Sequence, residues 1–163
     1  MPSERGRSVD PDVGPHVLAQ RRASRRGHVP ILAAVAAGGA IGALTRYGVS
    51  LWLPHAPRAF PWATFTINVT GCLLIGVLMV LISEVWSAHR LLYPFLGTGV
   101  LGGYTTFSAY AVDGRVLLGA GHPEVGIVYL GGTLAGALAA VYAGVLLARW
   151  VTGSRRSNDR RRR

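Results

Sequence analysis

The stretch that decides the fold is GGYTTFS, residues 102–108, which interrupts an otherwise apolar run long enough to cross a lipid bilayer. Its two glycines and its hydroxyl residues predict a break in the helix. In hydrocarbon every backbone N–H and C=O needs a partner, so a break is tolerated only where it is buried in protein or lines a wet cavity. Broken membrane helices direct their freed carbonyls and half-helix ends at ions. The stretch therefore predicts an ion site near the middle of a membrane.

Four apolar blocks follow one another along the 163 residues, half of which are hydrophobic. They cover about residues 31–53, 62–83, 91–118 and 125–151, and each reaches the ~20 residues that span a hydrocarbon core. A large soluble core is the alternative, but the blocks leave no polar helix faces to meet water. We expect an all-α integral membrane protein in which residues 30–151 form one domain of four transmembrane helices, the third broken at mid-membrane.

The two ends of the chain are polar and rich in arginine, which supplies all of the basic charge behind a net charge of +10. We expect residues 1–29 and 152–163 to be disordered basic tails. Basic clusters also occur in nucleic-acid-binding proteins, but beside four membrane spans they indicate topology, so we expect no nucleic-acid partner. The positive-inside rule then predicts a multi-pass protein of the cell membrane with both termini in the cytoplasm. Contact of the tails with anionic lipid headgroups is a further expectation.

Small residues recur at intervals of four in two of the predicted helices. The first helix has Gly38 and Gly42, and the last has a row made of Gly132, Gly136, Ala140 and Gly144. Residues four apart share a helix face, so each row forms a groove where another backbone can approach closely. A four-helix membrane protein this small has little interior of its own, so we expect a dimer.

Two polar side chains lie inside the first two blocks, and each has two interpretations. An arginine such as Arg46 costs about 2.5–3.5 kcal/mol at the membrane centre. It therefore either snorkels to an interface or supplies an anion-attracting charge in a wet vestibule. Asn68 offers two N–H donors and is expected to be hydrogen-bonded. It therefore either clamps two helices together or serves a ligand.

The last two blocks carry aromatic rings and hydroxyls on shared helix faces. Phe107 and Tyr110 are three residues apart, and the positive edges of their rings can face an anion, although such a pair more often packs in a core. Tyr129 and Thr133 are four apart and give one helix face two hydroxyls. No carboxylate lies deep inside a block, since Asp113 is near the end of the third. These groups suit a small anion better than a transported cation or proton.

Three motifs of this sequence together resemble those of the Fluc/CrcB fluoride channels, over about residues 35–150. GGAIGALTRY at residues 38–47 is similar to the family's GGxxGAxxRY, and TFTINVTG at residues 64–71 is similar to TLxVNxxG. GGYTTFS at residues 102–108 is similar to GGxTTFS. Three motifs in the right order on the predicted helices are far more specific than any one of them alone.

The resemblance implies an antiparallel, dual-topology dimer with two fluoride pores. It also implies a structural Na⁺ that is not transported, held where the two broken helices cross. The ligands of this Na⁺ would be the main-chain carbonyls of Gly102 and Thr105 in each subunit. The residues of this chain that would line the fluoride path are Asn68, Phe107, Ser108, Tyr110, Tyr129 and Thr133.

This chain departs from the family pattern at several of these positions. Tyr110 replaces the second phenylalanine of the aromatic pair, which keeps a ring edge but adds a hydroxyl that could donate directly to the ion. Ala109 replaces a threonine, and Asp113 stands where a glutamate is usual. Leu73 and Ala137 replace a common phenylalanine and a common serine. These differences bear on conduction rate and ion coordination rather than on the class of protein.

The expected function is fluoride-specific passive efflux across the cell membrane, which reduces cytoplasmic fluoride toxicity. One alternative is a small proton-coupled exporter, which would need a titratable carboxylate deep in a helix. Another is a non-transporting assembly subunit, which would not explain a broken helix with polar neighbours. The sequence has no nucleophile–base pair, phosphate-binding loop or zinc motif, so we do not expect an enzyme.

The loop charges are divided unevenly between the two sides of the predicted membrane. Arg58 and Arg115 fall on the side away from the tails, whereas the tail side has Arg21, Arg22, Arg25, Arg26, Arg90, Arg149, Arg155 and Arg156. Such a bias fixes one orientation. An antiparallel dimer would then be a heterodimer with an oppositely oriented homologue. If the chain inserts both ways, it would be a homodimer.

Overall fold

The structure, a computed structural model, describes residues 15–54, 56, 59–85, 90–121 and 123–160. The described part of the chain is entirely helical apart from its connections, as the sequence predicts. Its helices are α1, Pro15–Trp52; α2, Trp62–Val80, continued by a π-helix at Leu81–Val85; α3, residues 94–104; α4, Phe107–Gly119; and α5, Pro123–Arg160. Helix α3 consists of a π-helix at Pro94–Leu101 followed by the short α-helix Gly102–Tyr104.

Three helical segments of the described chain are long and apolar enough to cross a membrane: His28–Trp52, Trp62–Glu84 and Pro123–Gly153. Trp52 and Trp150 are largely exposed near the ends of two of them, as is usual for tryptophans at a membrane interface. These observations agree with the expected multi-pass, all-α membrane protein.

The first and last helices extend beyond the boundaries that the sequence predicts. Helix α1 begins at Pro15 and α5 ends at Arg160, so residues 15–29 and 152–160 of the expected disordered tails are helical. Residues 17–26 are rich in alanine, leucine, glutamine and arginine, which are good helix formers. At both ends, extending an existing helix avoids the unfavourable nucleation step. The remaining residues of the expected tails, 1–14 and 161–163, lie outside the described residues.

Glycines bring the backbones of α1 and α3 into direct contact. A β-carbon added at Gly38 would collide with the carbonyl of Phe95, and one added at Gly42 would collide with the carbonyl of Val100. Gly38 lies against Phe95 and Gly42 against Val100, so the residue numbers of the two helices increase in the same direction. Helices α1 and α3 therefore run parallel. The close approach expected from the glycine pair of α1 is therefore made within the subunit, against the helix that carries the GGYTTFS stretch.

Helices α2 and α5 form the other closely packed pair. A β-carbon at Gly76 would meet the carbonyl of Val141, and one at Gly144 would meet the carbonyl of Leu73. At the opposite end of the expected α5 row, Gly132 is exposed and has no neighbour within 4 Å of an added β-carbon. Only part of that row is therefore used for packing within the subunit. The pairing holds α2 and α5 beside α4, where the polar residues gather.

Candidate functional site

The backbone is extended at two residues between α3 and α4. Thr105 has ψ 158° and Thr106 has φ −148° and ψ 119°. Each hydroxyl ties this extended segment to a helix end: the Thr105 hydroxyl donates to the Leu101 carbonyl at 2.9 Å, and the Thr106 hydroxyl accepts from the Ala109 N–H at 3.1 Å. Thr106 is thus the N-cap of α4. The two threonines of the GGYTTFS stretch separate the helices, and each satisfies one backbone group of the helix end beside it.

The side-chain amide of Asn68 holds the extended segment against α2. Its Nδ2 donates to the Thr106 carbonyl at 3.0 Å, and its Oδ1 accepts from the Thr106 N–H at 2.9 Å. Both backbone polar groups of one non-helical residue are therefore satisfied by one side chain, as a membrane interior requires. The structure shows the helix-clamping contact that was one interpretation of Asn68. An asparagine amide has two N–H donors, and only one of them is used within the described residues.

Arg46 reaches the same segment from α1. Its Nη1 donates to the Thr105 carbonyl at 3.3 Å, and the side chain is half-buried. A carbonyl at the end of a helix lies at the negative pole of the helix dipole, where a cation is favourable. The guanidinium is not among the groups that line the cavity described next, and its hydrogen bond places it at the end of α3.

A cavity of about 280 Å³ lies beside the break, between α2, α4 and α5. Five of the predicted site residues line it: Asn68, Thr105, Phe107, Tyr110 and Thr133. Gly71, Cys72, Ile75, Thr106, Leu134 and Ala137 complete the lining. The last group was not predicted as a site, although Cys72 lies four residues after Asn68 and Ala137 four after Thr133. That helical spacing places each on the face of a predicted residue, so it could have identified them.

Phe107 is the most exposed aromatic residue of this group. Its ring is 80% exposed in the subunit and lies 5.8 Å from the ring of Tyr110, at an interplanar angle of 47°. Such exposure is incompatible with packing in the core of one subunit. The ring edges of both residues are therefore available to the cavity or to a partner.

The hydroxyl of Tyr110 is engaged with the protein. It donates to the Leu130 carbonyl on α5 at 2.9 Å. The sequence left open that this hydroxyl donates to the ion; in the structure it links α4 to α5 and fixes the orientation of the ring.

Tyr129 and Ser108 are predicted path residues that do not line the cavity. Tyr129 is completely buried, and its hydroxyl donates to Asp113 Oδ2 at 3.4 Å; the Thr64 hydroxyl donates to the same oxygen at 2.7 Å. Ser108 is exposed, and its hydroxyl lies 3.2 Å from that of Thr106. The Asp113 carboxylate draws the hydroxyl of Tyr129 toward itself, since a carboxylate is a strong hydrogen-bond acceptor.

Thr133 presents an unused hydroxyl to the cavity wall. The residue is 3% exposed, and its Oγ1 has no hydrogen-bond partner among the described residues. A buried hydroxyl without a partner costs about 1–3 kcal/mol, so such a group favours a ligand or water. The N-terminus of α4, which begins at Phe107, lies at the same cavity and carries the positive end of the helix dipole. Donors, ring edges and a helix N-terminus together suit a small anion.

Comparison with known proteins agrees with this chemistry. Residues 33–145 match the family described as CrcB-like protein, Camphor Resistance (CrcB). The chain is 51% identical over 125 residues to "Fluoride-specific ion channel FluC 2" of Streptomyces avermitilis, covering 77% of this chain and 79% of that protein. It is 54% identical over 126 residues to FluC 2 of Nocardia farcinica, covering 77% and 90%. It is 49% identical over 144 residues to FluC 1 of Streptomyces coelicolor, covering 88% and 94%.

Proposed function

This chain belongs to the CrcB-like family, and we propose that it is a fluoride-specific ion channel that lets fluoride leave the cell and so lowers its concentration in the cytoplasm. The observation that carries the proposal is the cavity at the N-terminus of α4. Its lining combines the Asn68 amide, the rings of Phe107 and Tyr110, and the unpartnered Thr133 hydroxyl.

This combination fits fluoride because the ion is small and strongly hydrated. A pore must replace the lost water with donors, yet hold the ion weakly enough to release it. An amide, a hydroxyl and aromatic edges supply partial positive charge, and no lysine or arginine lines the cavity among the described residues. A fixed cation inside the cavity would bind the anion more tightly and slow its exit. Transport is passive: hydrogen fluoride enters as the neutral acid, ionises inside the cell and leaves as fluoride.

We assign four membrane crossings to the chain, with α3 and α4 together forming the third. Residues 94–119 are long enough, at 1.5 Å per residue, to cross a hydrocarbon core of about 30 Å. The extended residues Thr105 and Thr106 then lie near mid-membrane. What supports this assignment is that the polar groups of Thr106 pair with Asn68, since unpaired backbone groups are not tolerated at that depth.

We propose that the functional unit is a dimer, and the open side of the cavity in one subunit supports it. The antiparallel arrangement is what the resemblance to the fluoride channels implies. Phe107 is 80% exposed, and Ser108 and Gly102 of the same stretch are also exposed. A second subunit placed on this face would cover the ring and close the open side of the path. With both termini in the cytoplasm by its arginine bias, the chain would pair with an oppositely oriented homologue. Two of its relatives, FluC 2 and FluC 3, come from the same organism, Streptomyces avermitilis, which supports the presence of more than one such chain in a cell. A homodimer is the alternative.

The residues at the end of α3 fit the implied structural Na⁺. Carbonyl oxygens are suitable ligands for a hard cation. The carbonyl of Gly102 lies in the last turn of α3, and that of Thr105 directly follows the helix, where helical partners run out. The Thr105 carbonyl already accepts from Arg46, but a carbonyl oxygen has two lone pairs. Two oxygens are fewer than a hard cation usually takes, about six for calcium or magnesium. The second subunit would therefore complete the site. Bound there, Na⁺ would supply charge compensation where two helix C-termini meet.

A growth assay tests the function directly. A bacterial strain that lacks its own fluoride channel is transformed with this chain, alone or together with a homologue of opposite charge bias. We expect growth to extend to higher fluoride concentrations. Unchanged fluoride sensitivity in both transformants, with the protein present in the membrane, would contradict the proposal.

A further inference from the structure

A second cavity, of about 600 Å³, opens between α4 and α5 next to the first. It is lined by Tyr110, Ala111, Arg115, Leu118, Gly119 and Leu130. Tyr110 also lines the first cavity, so this residue belongs to the linings of both. The hydrogen bond from Tyr110 to the Leu130 carbonyl lies along the same boundary, because Leu130 lines the second cavity.

Arg115 gives the second cavity a positive charge. Its side chain is exposed and has no ion-pair partner among the described residues. The carboxylate of nearby Asp113 lines neither cavity and accepts hydrogen bonds from Thr64 and Tyr129 instead. The guanidinium in the second cavity is therefore not neutralised by the nearest acidic residue on its own helix.

The two cavities follow one another along α4. From Tyr110 to Arg115 the helix advances about 7.5 Å toward its C-terminus. Helix α3 runs parallel to α1, and α4 continues from α3, so Arg115 lies toward the end of the bundle opposite the N-terminus of α1. An anion leaving the first cavity in this direction would pass the ring of Tyr110 and meet the positive charge next.

We propose that the second cavity is an anion-collecting vestibule in which Arg115 supplies the charge, with Tyr110 separating it from the first cavity. The inference rests on the proposed fluoride conduction and adds a second site along the fluoride path. A charge at the mouth of a pore raises the local concentration of the opposite ion and hence the rate of entry. A buried cation would trap the ion, whereas an exposed one exchanges it with water. The proposed anion path thus has a charged entrance and an interior cavity lined by uncharged groups.

The same guanidinium could instead bind the phosphate of a lipid headgroup, since both are anions. The two roles differ in their dependence on conditions. A vestibule charge matters most at low fluoride and low ionic strength, and is screened at about 1 M salt, where the Debye length is about 3 Å. A lipid anchor would change the flux by the same factor at every fluoride concentration.

A charge series at Arg115 tests the inference. Fluoride flux through the full-length chain, in the functional assembly, is measured in liposomes for the parent and for Arg115→Lys, Arg115→Gln and Arg115→Glu. Arg149→Gln is the control: it removes the same charge at the other end of the bundle, where Arg149 pairs with Glu84 at 3.1 Å. Assembly of each variant is checked by size-exclusion chromatography.

At low millimolar fluoride and low ionic strength we expect Arg115→Lys to match the parent. Arg115→Gln should conduct about three- to tenfold less and Arg115→Glu less still, as a lost steering charge predicts. The differences should disappear in about 1 M of an impermeant salt, and Arg149→Gln should leave the flux unchanged. Three results with a conducting parent would overturn the vestibule but not the proposed function. They are equal fluoride flux in all Arg115 variants, a loss of flux that does not depend on salt, and an equal loss of flux in Arg149→Gln. A well-assembled parent that conducts no fluoride would overturn the proposed function and the vestibule with it.

Discussion

Asn68 and Thr106 exchange two hydrogen bonds, of 3.0 Å and 2.9 Å, across 38 residues of sequence. One amide side chain thereby replaces the helical partners that the extended backbone of Thr106 lacks. The pair joins α2 to the start of α4 and fixes one wall of the cavity. A polar residue inside a membrane helix here supports the break, and the proposed function assigns its second N–H donor to the permeating ion.

Replacing Asn68 by aspartate removes one of its two hydrogen bonds and keeps the other. Asn68→Asp keeps the acceptor for the Thr106 N–H but loses the donor to the Thr106 carbonyl, and it adds a negative charge beside an anion path. We expect fluoride efflux from liposomes to fall by at least about tenfold, since a like charge costs more than about 1.4 kcal/mol in a site of low dielectric. Asn68→Gln, which keeps the amide, is the matched control and should retain more flux. Equal flux in Asn68→Asp and the parent would contradict the role of Asn68 in the path.

The ring of Phe107 should be needed for conduction. Phe107→Ile keeps apolar bulk but removes the positive ring edge, and we expect a large loss of flux with the dimer intact. Phe107→Tyr keeps the edge and serves as the control. A purified Phe107→Ile dimer that conducts as well as the parent would reduce Phe107 to a packing residue at the subunit interface.

Removing the Tyr110 hydroxyl should affect stability more than conduction. In Tyr110→Phe the Leu130 carbonyl loses its donor, which costs about 0.5–1.5 kcal/mol, while the ring edge remains. We expect a lower thermal unfolding midpoint in detergent and persistent fluoride flux. If flux is lost while the unfolding midpoint is unchanged, the hydroxyl serves the ion rather than α5.

Two glycines on α1 offer a matched pair for testing the packing. A β-carbon at Gly42 would collide with the carbonyl of Val100, whereas one at Gly48 meets nothing within 4 Å. We therefore expect Gly42→Ala to lower the yield of monodisperse protein sharply. Gly48→Ala should be neutral or slightly stabilising, because alanine favours a helix over glycine by about 1 kcal/mol. Similar chromatograms for the two variants would contradict the direct backbone contact between α1 and α3.

A side chain at Gly102 should block assembly without unfolding the subunit. Within the subunit an added β-carbon there approaches only the Gly97 carbonyl, at 3.8 Å, but Gly102 would lie at the dimer axis beside the proposed Na⁺. We expect Gly102→Leu to give folded monomers by circular dichroism and multi-angle light scattering. Thr105→Ser should assemble normally, because the proposed ligand is the main-chain carbonyl. Full fluoride flux after prolonged dialysis against Na⁺-free and Li⁺-free buffer would argue against the Na⁺ site.

The spacing and types of neighbouring residues in the sequence predicted the helical elements and much of the cavity lining. They could not predict the contacts between helices that are distant in sequence. Phe107 and Tyr110 are three residues apart, and the glycines and threonines of the stretch 102–108 are consecutive, so helix geometry alone relates them. The partner of Arg46 is Thr105, 59 residues away, and helix spacing says nothing about such distances. The extent of α1 and α5 was underestimated because polar composition predicts disorder, whereas a helix already formed in the membrane continues at little cost.

The hydroxyl of Tyr129 illustrates the same limit. Its spacing from Thr133 puts both on one face of α5, and the resemblance to the fluoride channels implied that both line the path. Tyr129 is longer, and its hydroxyl reaches the Asp113 carboxylate, which Thr64 also contacts. The competing acceptor lies on another helix, so the sequence of α5 could not reveal it.

The most direct test of fluoride conduction is the efflux of anions from liposomes that contain the purified chain, with its opposite-bias homologue if the chain alone does not assemble. The vesicles are loaded with potassium fluoride or potassium chloride, valinomycin carries the compensating potassium, and ion-selective electrodes record the release. We predict rapid fluoride efflux that is abolished in Phe107→Ile, with chloride efflux no faster than from protein-free vesicles. Fluoride release at the protein-free rate from a well-assembled dimer, or equal release of chloride and fluoride, would contradict the assignment of this chain as a fluoride-specific channel.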